Sequence, residues 1–147
     1  MNKPVNVETE KAAVKKVIES NIGWAATKDT STMYSTFAQD EDLFYFCPDD
    51  AGNIKGFKAV TELTQGFFML DDFKAIKYEI RDLVINLSRS GDVAWYHCRL
   101  DDFNEWKGRP ANWEDVRWTG VLEKRAGKWV IVQMHFSFPT DRQKKQG

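Results

Sequence analysis

The 147-residue sequence predicts an α+β domain in which helices come first and a mostly antiparallel sheet follows. Apolar residues recur at three- and four-residue steps in residues 7–27 and 57–70, which is typical of amphipathic helices. Between Trp113 and Pro139, two runs rich in Val, Ile, Trp, Phe and Thr flank a turn at Arg125-Ala126-Gly127, as in a β-hairpin. One face of that hairpin is almost wholly apolar, so we expect helices to cover it.

The N-terminal region predicts two helices. The first covers residues 7–27, and Trp24 lies at the edge of its apolar stripe. Asp29 is typical of an N-cap, because its carboxylate can accept a hydrogen bond from the first turn. It therefore predicts a short second helix, which carries Tyr34.

A short buried strand and a third helix are expected next. Residues 43–47 are apolar and aromatic, and the turn-forming segment 48–52 ends that strand. Gly56 then precedes a helix over residues 57–70. Its buried line is expected to be Val60, Leu63, Phe67 and Leu70.

The second half of the chain predicts four long strands, at about 74–88, 92–104, 113–124 and 128–138. Ser90-Gly91 turns the first hairpin, and two registers are open. One register points Asp82 inward, whereas the other leaves it in water. We predict a single domain over residues 1–139 and a disordered polar tail over 140–147.

The last hairpin is expected to have a three-residue loop with only Gly127 in the left-handed region, because Ala tolerates positive φ poorly. That register turns one set of residues inward: Trp118, Leu122, Val130, Val132, Met134, Phe136 and Phe138. The outward set is mixed: Arg117, Thr119, Val121, Glu123, Trp129, Ile131, Gln133, His135 and Ser137. It is too apolar to stay exposed, so we predict a homodimer through Arg117, Val121, Trp129, Ile131, Gln133 and His135.

The composition excludes several partner classes. A net charge of −1 offers no basic surface for nucleic acid or an anionic membrane. No apolar run reaches the length of a membrane span. Cys47 and Cys98 lie in apolar runs without metal-binding spacing, so free thiols are expected. The expected compartment is the cytoplasm, although a signal peptide removed earlier would leave no trace.

The order helix, helix, short strand, helix and four long strands, together with the stretch RWTGVLEKRAGKWVIVQMHFS, resembles the SnoaL-like branch of the nuclear transport factor 2-like (NTF2-like) superfamily. The positions of Trp24, Asp29 and Gly56 are similar as well. The resemblance implies a cone in which three N-terminal helices pack on a strongly curved sheet, with a pocket at the open end. It also implies a convex face that packs against a second copy. Because the superfamily contains isomerases, cyclases, dehydratases and non-catalytic adaptors, the resemblance does not decide the activity.

The sequence assigns no catalytic residue. Steroid isomerases of the superfamily place an acid near the position of Trp118 to Gly120, where this sequence has none. His97 and His135 fall on the outward phase of their strands, and too few ligands accompany them for a metal. We expect no metal and no cofactor. Asp42 and the acid pairs at 49–50, 71–72, 101–102 and 114–115 are interpreted as turn residues.

The high content of Trp and Phe favours a cavity for a small apolar or aromatic ligand. The predicted binding residues share the inward phase of strands or the covering faces of helices: Trp24, Tyr34, Phe67, Tyr96, Leu100, Trp118, Met134 and Phe136. The predicted function is therefore that of a small-molecule-binding pocket protein. The alternative is a cofactor-independent acid–base enzyme of the cyclase, isomerase or dehydratase type, acting on a polyketide-, steroid- or aromatic-like substrate.

Overall fold

A computed structural model describes residues 4–140 of the chain. Its three α-helices are α1 Val7–Gly23, α2 Thr30–Ser35 and α3 Phe57–Leu63. Its seven strands are β1 Phe44–Phe46, β2 Ile54–Lys55, β3 Phe73–Leu87, β4 Val93–Trp106, β5 Arg109–Pro110, β6 Trp113–Arg125 and β7 Lys128–Ser137. The predicted order of helices and long strands is confirmed, and β2 and β5 are additions. The predicted tail lies outside the described residues, apart from Thr140.

The strands form one sheet in the order β2-β1-β7-β6-β4-β3, and β5 pairs with β4. Neighbouring strands are antiparallel except β1 and β7, which are parallel. The helices cover one face of the sheet, which we call the concave face. Val14 and Ile18 of α1 are fully buried in the resulting core, as the helical periodicity predicts.

The β6–β7 hairpin differs from the predicted register. Arg125 pairs with Lys128, so the turn consists of Ala126 and Gly127 alone, and both have positive φ, 50° and 80°. The predicted three-residue loop is wrong. A two-residue turn with two left-handed residues matches the twist of the strands, and the sheet therefore imposes positive φ on an alanine.

A β-bulge at Val132 corrects the predicted outward face. Leu122 pairs with Ile131 whereas Val121 pairs with Gln133, so Val132 is an extra residue on β7. The bulge reverses the alternation between the two ends of β7. Trp129 and Ile131 are consequently buried in the core, at 5% and 0% exposure, and cannot contribute to a partner face.

The helix α1 is tied to this hairpin through Glu10. Its carboxylate accepts hydrogen bonds from Lys124 Nζ and Trp129 Nε1, both at 2.7 Å. The hydrogen bond from Lys124, with that from Trp129, lowers the pKa of Glu10. The first helix and the last hairpin are thus joined by a charged contact as well as by packing.

The β3–β4 hairpin resolves the register that the sequence left open. Leu87 pairs with Ala94, and Ser88 N–H donates to Val93 O across a four-residue loop. Asp82 lies in a bulge of β3 with a φ of 55° and is exposed. It therefore lies in solvent rather than among the core residues.

The third helix ends earlier than predicted. After Leu63 the chain makes a π-helical turn over Thr64–Phe68, closed by a hydrogen bond from Met69 N–H to Thr64 O at 2.9 Å. The wider turn changes the buried side of the helix. Thr64 is buried and Leu70 is 41% exposed, so the prediction that Leu70 belongs to the buried line is wrong.

Candidate ligand-binding cavity

A cavity of about 960 Å³ lies between the helices and the concave face of the sheet. Aromatic side chains from both layers supply much of its wall: Trp24, Phe37, Tyr45, Phe67, Phe68, Phe73, Trp113, Phe136 and Phe138. The loop before β2 and the loop between β5 and β6 also border it. Large rings at a junction of helices with a curved sheet leave space that aliphatic side chains would fill.

The π-helical turn directs two consecutive phenylalanines toward the cavity. Phe67 stacks on Trp106 with ring centroids 4.6 Å apart, and Phe68 packs edge-on against Phe73 at 5.0 Å. Trp24 meets Phe68 at 5.9 Å. These contacts hold each ring through its neighbours, so this part of the wall is preformed rather than assembled from isolated side chains.

The structure brings half of the predicted binding residues to the cavity wall. Trp24, Phe67, Met134 and Phe136 line it. Tyr34 does not: its ring packs against Phe57, and its hydroxyl accepts a hydrogen bond from Gln65 Nε2 at 3.2 Å.

The other three predicted residues, Tyr96, Leu100 and Trp118, are buried away from the cavity wall. Trp118 stacks on Phe136 at 5.4 Å and so supports a wall residue from behind. Tyr96 packs over Gly120, where a Cβ atom would lie 2.6 Å from the tyrosine Oη. Their alternation is as predicted, but they form a layer of the core rather than a ligand surface.

Asp102 is a functional candidate that the sequence analysis missed. It lies on β4 two residues beyond Leu100, pairs with Trp113 across the sheet and lines the cavity. Burial raises the pKa of its carboxyl, and a hydrogen bond from the Asn104 side chain offsets part of that rise. The signal was the inward alternation that places Leu100 inside, which also predicts an inward Asp102.

Asp101 and Asp102 have opposite environments because successive strand residues face opposite sides. The Asp101 carboxylate accepts two hydrogen bonds from Arg81, both at 3.1 Å, and one from Asp115 N–H at 2.7 Å. Asp101 is therefore held in an ion-pair network away from the cavity. The interpretation of this pair as turn residues is wrong, since both lie within β4.

Two amide side chains extend the polar part of the wall. Asn104 and Asn112 both line the cavity, and Asn112 Oδ1 accepts a hydrogen bond from Asn104 N–H at 2.9 Å. Ala111 N–H donates to Asn104 O at 2.8 Å. These bonds fix the loop after β5 beside Asp102. The cavity thus combines an extensive aromatic wall with a small cluster of carboxyl and amide groups.

The remaining sequence candidates lie elsewhere. His97 and His135 are exposed on the face of the sheet away from the helices, which we call the convex face, and Thr119 pairs with both of them. Asp42 is exposed, and its N–H donates to Asp40 Oδ1 in a local turn. Neither histidine nor Asp42 borders the cavity.

Both cysteines are free thiols. Cys47 borders the cavity, and burial raises the pKa of its thiol to about 11. Burial likewise raises the pKa of Cys98 to about 12. At neutral pH both are therefore protonated, which argues against a nucleophilic role.

Residues 4–140 contain no group of three or more His, Cys, Asp and Glu side chains placed to hold a metal ion. In the same range, no helix is long and apolar enough to cross a membrane. The chemistry that the cavity offers is therefore apolar and aromatic contact, hydrogen bonding by amides, and proton exchange at Asp102.

The SnoaL-like domain family model matches residues 14–141 of the chain. No curated protein matches it at a significant level. Similar solved structures include a candidate dehydratase of the NTF2-like family from Streptomyces avermitilis, with 16% identity, a TM-score of 0.74, and coverage of 91% of this chain and 99% of that one.

Two further structures share the fold. An NTF2-like superfamily protein from Salmonella enterica serovar Typhimurium has 19% identity and a TM-score of 0.73, and the match covers 91% of this chain and 94% of that one. A candidate calcium/calmodulin-dependent protein kinase II association domain from Xanthomonas campestris has 18% identity and a TM-score of 0.69, with coverage of 95% and 94%. At these identities the similarity shows the fold alone.

Proposed function

We propose that this chain, which belongs to the SnoaL-like domain family, binds a small, largely apolar ligand in the cavity on the concave face of its sheet. The observation that carries the proposal is the cavity itself. Its volume of about 960 Å³ lies in the range of about 300–1,000 Å³ that is usual for small-molecule sites. Its wall is mainly apolar and rich in aromatic rings, and its polar residues include Asp102, Asn104 and Asn112.

The aromatic wall favours a ligand with a flat ring system. Phe67, Phe68 and Phe73 contact one another with centroids 5.0–5.3 Å apart, and Trp113 and Phe136 form a second pair at 5.1 Å. A planar ligand would gain stacking contacts with either group. Met134 supplies an adaptable surface beside them.

The matched variants Phe67→Leu and Phe46→Leu test this proposal. Both make the same change, but Phe67 lines the cavity whereas Phe46 is exposed on the opposite face. A calorimetric or thermal-shift screen of steroid-like, polyketide-like and indole compounds would supply the ligand. Because an aromatic pair contributes about 0.5–1.5 kcal/mol, Phe67→Leu should weaken binding roughly two- to tenfold, with Phe46→Leu unchanged. Equal effects of the two variants would contradict the proposed location.

Asp102 supports a second candidate, an acid–base enzyme. An enzyme of this kind needs an ionisable group of shifted pKa at the ligand, and Asp102 meets that requirement. As a carboxylate it would remove a proton from the bound substrate and return it at another position. One related structure is a candidate dehydratase.

Incubation of each bound compound with the protein separates the two functions. For the enzyme, Asp102→Asn should abolish turnover while binding is retained, and the rate should rise with pH through one ionisation, because the carboxylate is the active form. The control is Asp49→Asn, an exposed acid at the edge of the cavity. Binding without conversion by the wild-type protein would leave the binding function alone.

The two free thiols support a cytoplasmic location.

The proposed assembly is a homodimer through the convex face. Without Trp129 and Ile131, the face still has exposed apolar side chains: Phe46, Val84 and Trp95, at 39%, 43% and 44% exposure. Strand pairing places them around Val121, Gln133 and His135. One solved structure of this fold is described as an association domain, which fits a role of the fold in assembly.

A further inference from the structure

The charged groups of the cavity wall have one sign. Asp49 and Asp102 line the cavity, and no Lys, Arg or His among residues 4–140 does so. Lys107 and Arg109 lie near the loop after β5, but both are exposed and outside the wall. An anionic ligand would therefore be desolvated next to a carboxylate without a compensating cation.

The position of Asp102 suits a cation. Burial disfavours the charged form of its carboxyl, and a ligand cation would reverse that effect by pairing with the carboxylate. Trp113, the strand partner of Asp102, lies on the same face and also lines the cavity. An ammonium bound by Asp102 would consequently lie beside an aromatic ring, where cation–π attraction adds to the ion pair.

The structure contains a contact of this type next to the cavity wall. Lys107 Nζ lies 5.6 Å from the centroid of Trp106. The Trp106 ring in turn stacks on Phe67, a cavity residue. A cation–π contact therefore occurs one ring away from the cavity wall.

We infer that the cavity selects aromatic ligands that bear a protonated amine, with Asp102 as the ion-pair partner and Trp113 as the aromatic neighbour. The inference rests on the proposed ligand-binding function and adds a ligand class to it. Neutral alcohols would bind through the rings and the amides of Asn104 and Asn112, whereas carboxylic acids would be excluded.

Three compounds with one ring system test the inference: tryptamine, tryptophol and indole-3-propionic acid, measured by calorimetry at neutral pH. A hydrogen bond to a charged group contributes about 1.5–3 kcal/mol, so tryptamine should bind roughly 10- to 150-fold more tightly than tryptophol. The acid should bind most weakly. Asp102→Asn should remove the preference for the amine, whereas Asp42→Asn, at an exposed acid outside the cavity wall, should preserve it.

The outcomes separate this inference from the proposed function. If tryptophol binds as tightly as tryptamine and its binding depends on Phe67, the cavity binds ligands but the amine selectivity is wrong. The inference is also wrong if Asp102→Asn keeps the preference in a variant that melts as a folded protein. If none of the three compounds binds, both the inference and the proposed binding of indole-like ligands are contradicted.

Discussion

Asp102 is a single residue whose burial has a measurable energetic consequence. Burial raises the pKa of its carboxyl, while the carboxylate of Asp101 beside it accepts two hydrogen bonds from Arg81. An aspartate carboxylate is therefore favourably paired at position 101, whereas at position 102 burial makes the charged carboxylate unfavourable. Groups whose pKa is shifted by burial in a cleft are frequent at functional sites.

The unfavourable burial of the Asp102 carboxylate predicts how the stability of the protein depends on pH. The folded-state pKa of Asp102 lies above the ordinary value of 3.8, so its contribution to stability is complete below 3.8 and is lost as pH rises through the folded value. Asp102→Asn cannot ionise. We expect the variant to be more stable than the wild type near neutral pH and to lose that advantage below 3.8.

Urea unfolding of both proteins at the two pH values measures this difference. Asp49→Asn is the matched control, because Asp49 is exposed and asparagine can retain its hydrogen bond with Ala51 N–H. An Asp102→Asn variant that is less stable than the wild type at neutral pH would mean that the carboxylate is favourably paired in the folded protein.

At the scale of the element, the β6–β7 turn contains a correctable strain. Ala126 has a φ of 50°, a conformation that costs an L-residue roughly 1 kcal/mol or more. Asn-Gly is the favoured pair for this turn. Ala126→Asn should therefore stabilise the protein by about 0.5–1 kcal/mol, detected as a higher midpoint of urea unfolding.

The same substitution in a helix gives the opposite expectation. Ala13 is exposed on α1, where asparagine has the poorer helix propensity, so Ala13→Asn should cost about 0.5 kcal/mol. Destabilisation by Ala126→Asn would show that the turn does not keep its two left-handed residues in solution.

The fold was predictable from the sequence, but the phase of β7 was not. Residues 129–132 are all apolar, so either alternation satisfies the hydrophobic pattern. Backbone hydrogen bonds to a segment distant in sequence fix the alternation of β7. Ile131 N–H donates to Thr36 O at 2.8 Å, and Ala38 N–H donates to Ile131 O at 2.9 Å. A local pattern contains no information about such a pairing, and the bulge at Val132 was therefore missed.

The candidate site shows a related limit. Alternation and helical periodicity indicate which face a side chain is on, and on this basis Met134 and Phe136 were correctly predicted to line the cavity. They do not indicate how far along the sheet the cavity extends, so Trp118 shares the phase of the cavity residues but stacks behind Phe136, outside the cavity wall. Asp102 was missed because an acid pair was attributed to a turn when the strand continues through it.

At the scale of the whole molecule, the convex face predicts self-association. Trp95 is 44% exposed and lies opposite Val121 on this face. A glutamate at position 95 would place a charge within an apolar interface, so Trp95→Glu should weaken the proposed dimer and leave helix content unchanged. Glutamate at Ile131 would instead unfold the protein, because Ile131 is fully buried.

Sedimentation velocity at micromolar concentration measures this association. Leu70→Glu is the control, since Leu70 is similarly exposed but follows the π-helical turn rather than lying on the sheet. A wild-type protein that sediments as a monomer would rule out the proposed dimer at that concentration.

The contact between Glu10 and the last hairpin has a consequence for how the molecule folds. Its two hydrogen bonds join residues 114 and 119 positions apart along the chain. During synthesis, helix α1 leaves the ribosome long before Lys124 and Trp129 are made, so its apolar face has no complete sheet to cover until the last hairpin has been made. Because such distant contacts slow folding, we expect this domain to reach its native state only after Trp129 has left the ribosome, and to need protection from aggregation until then.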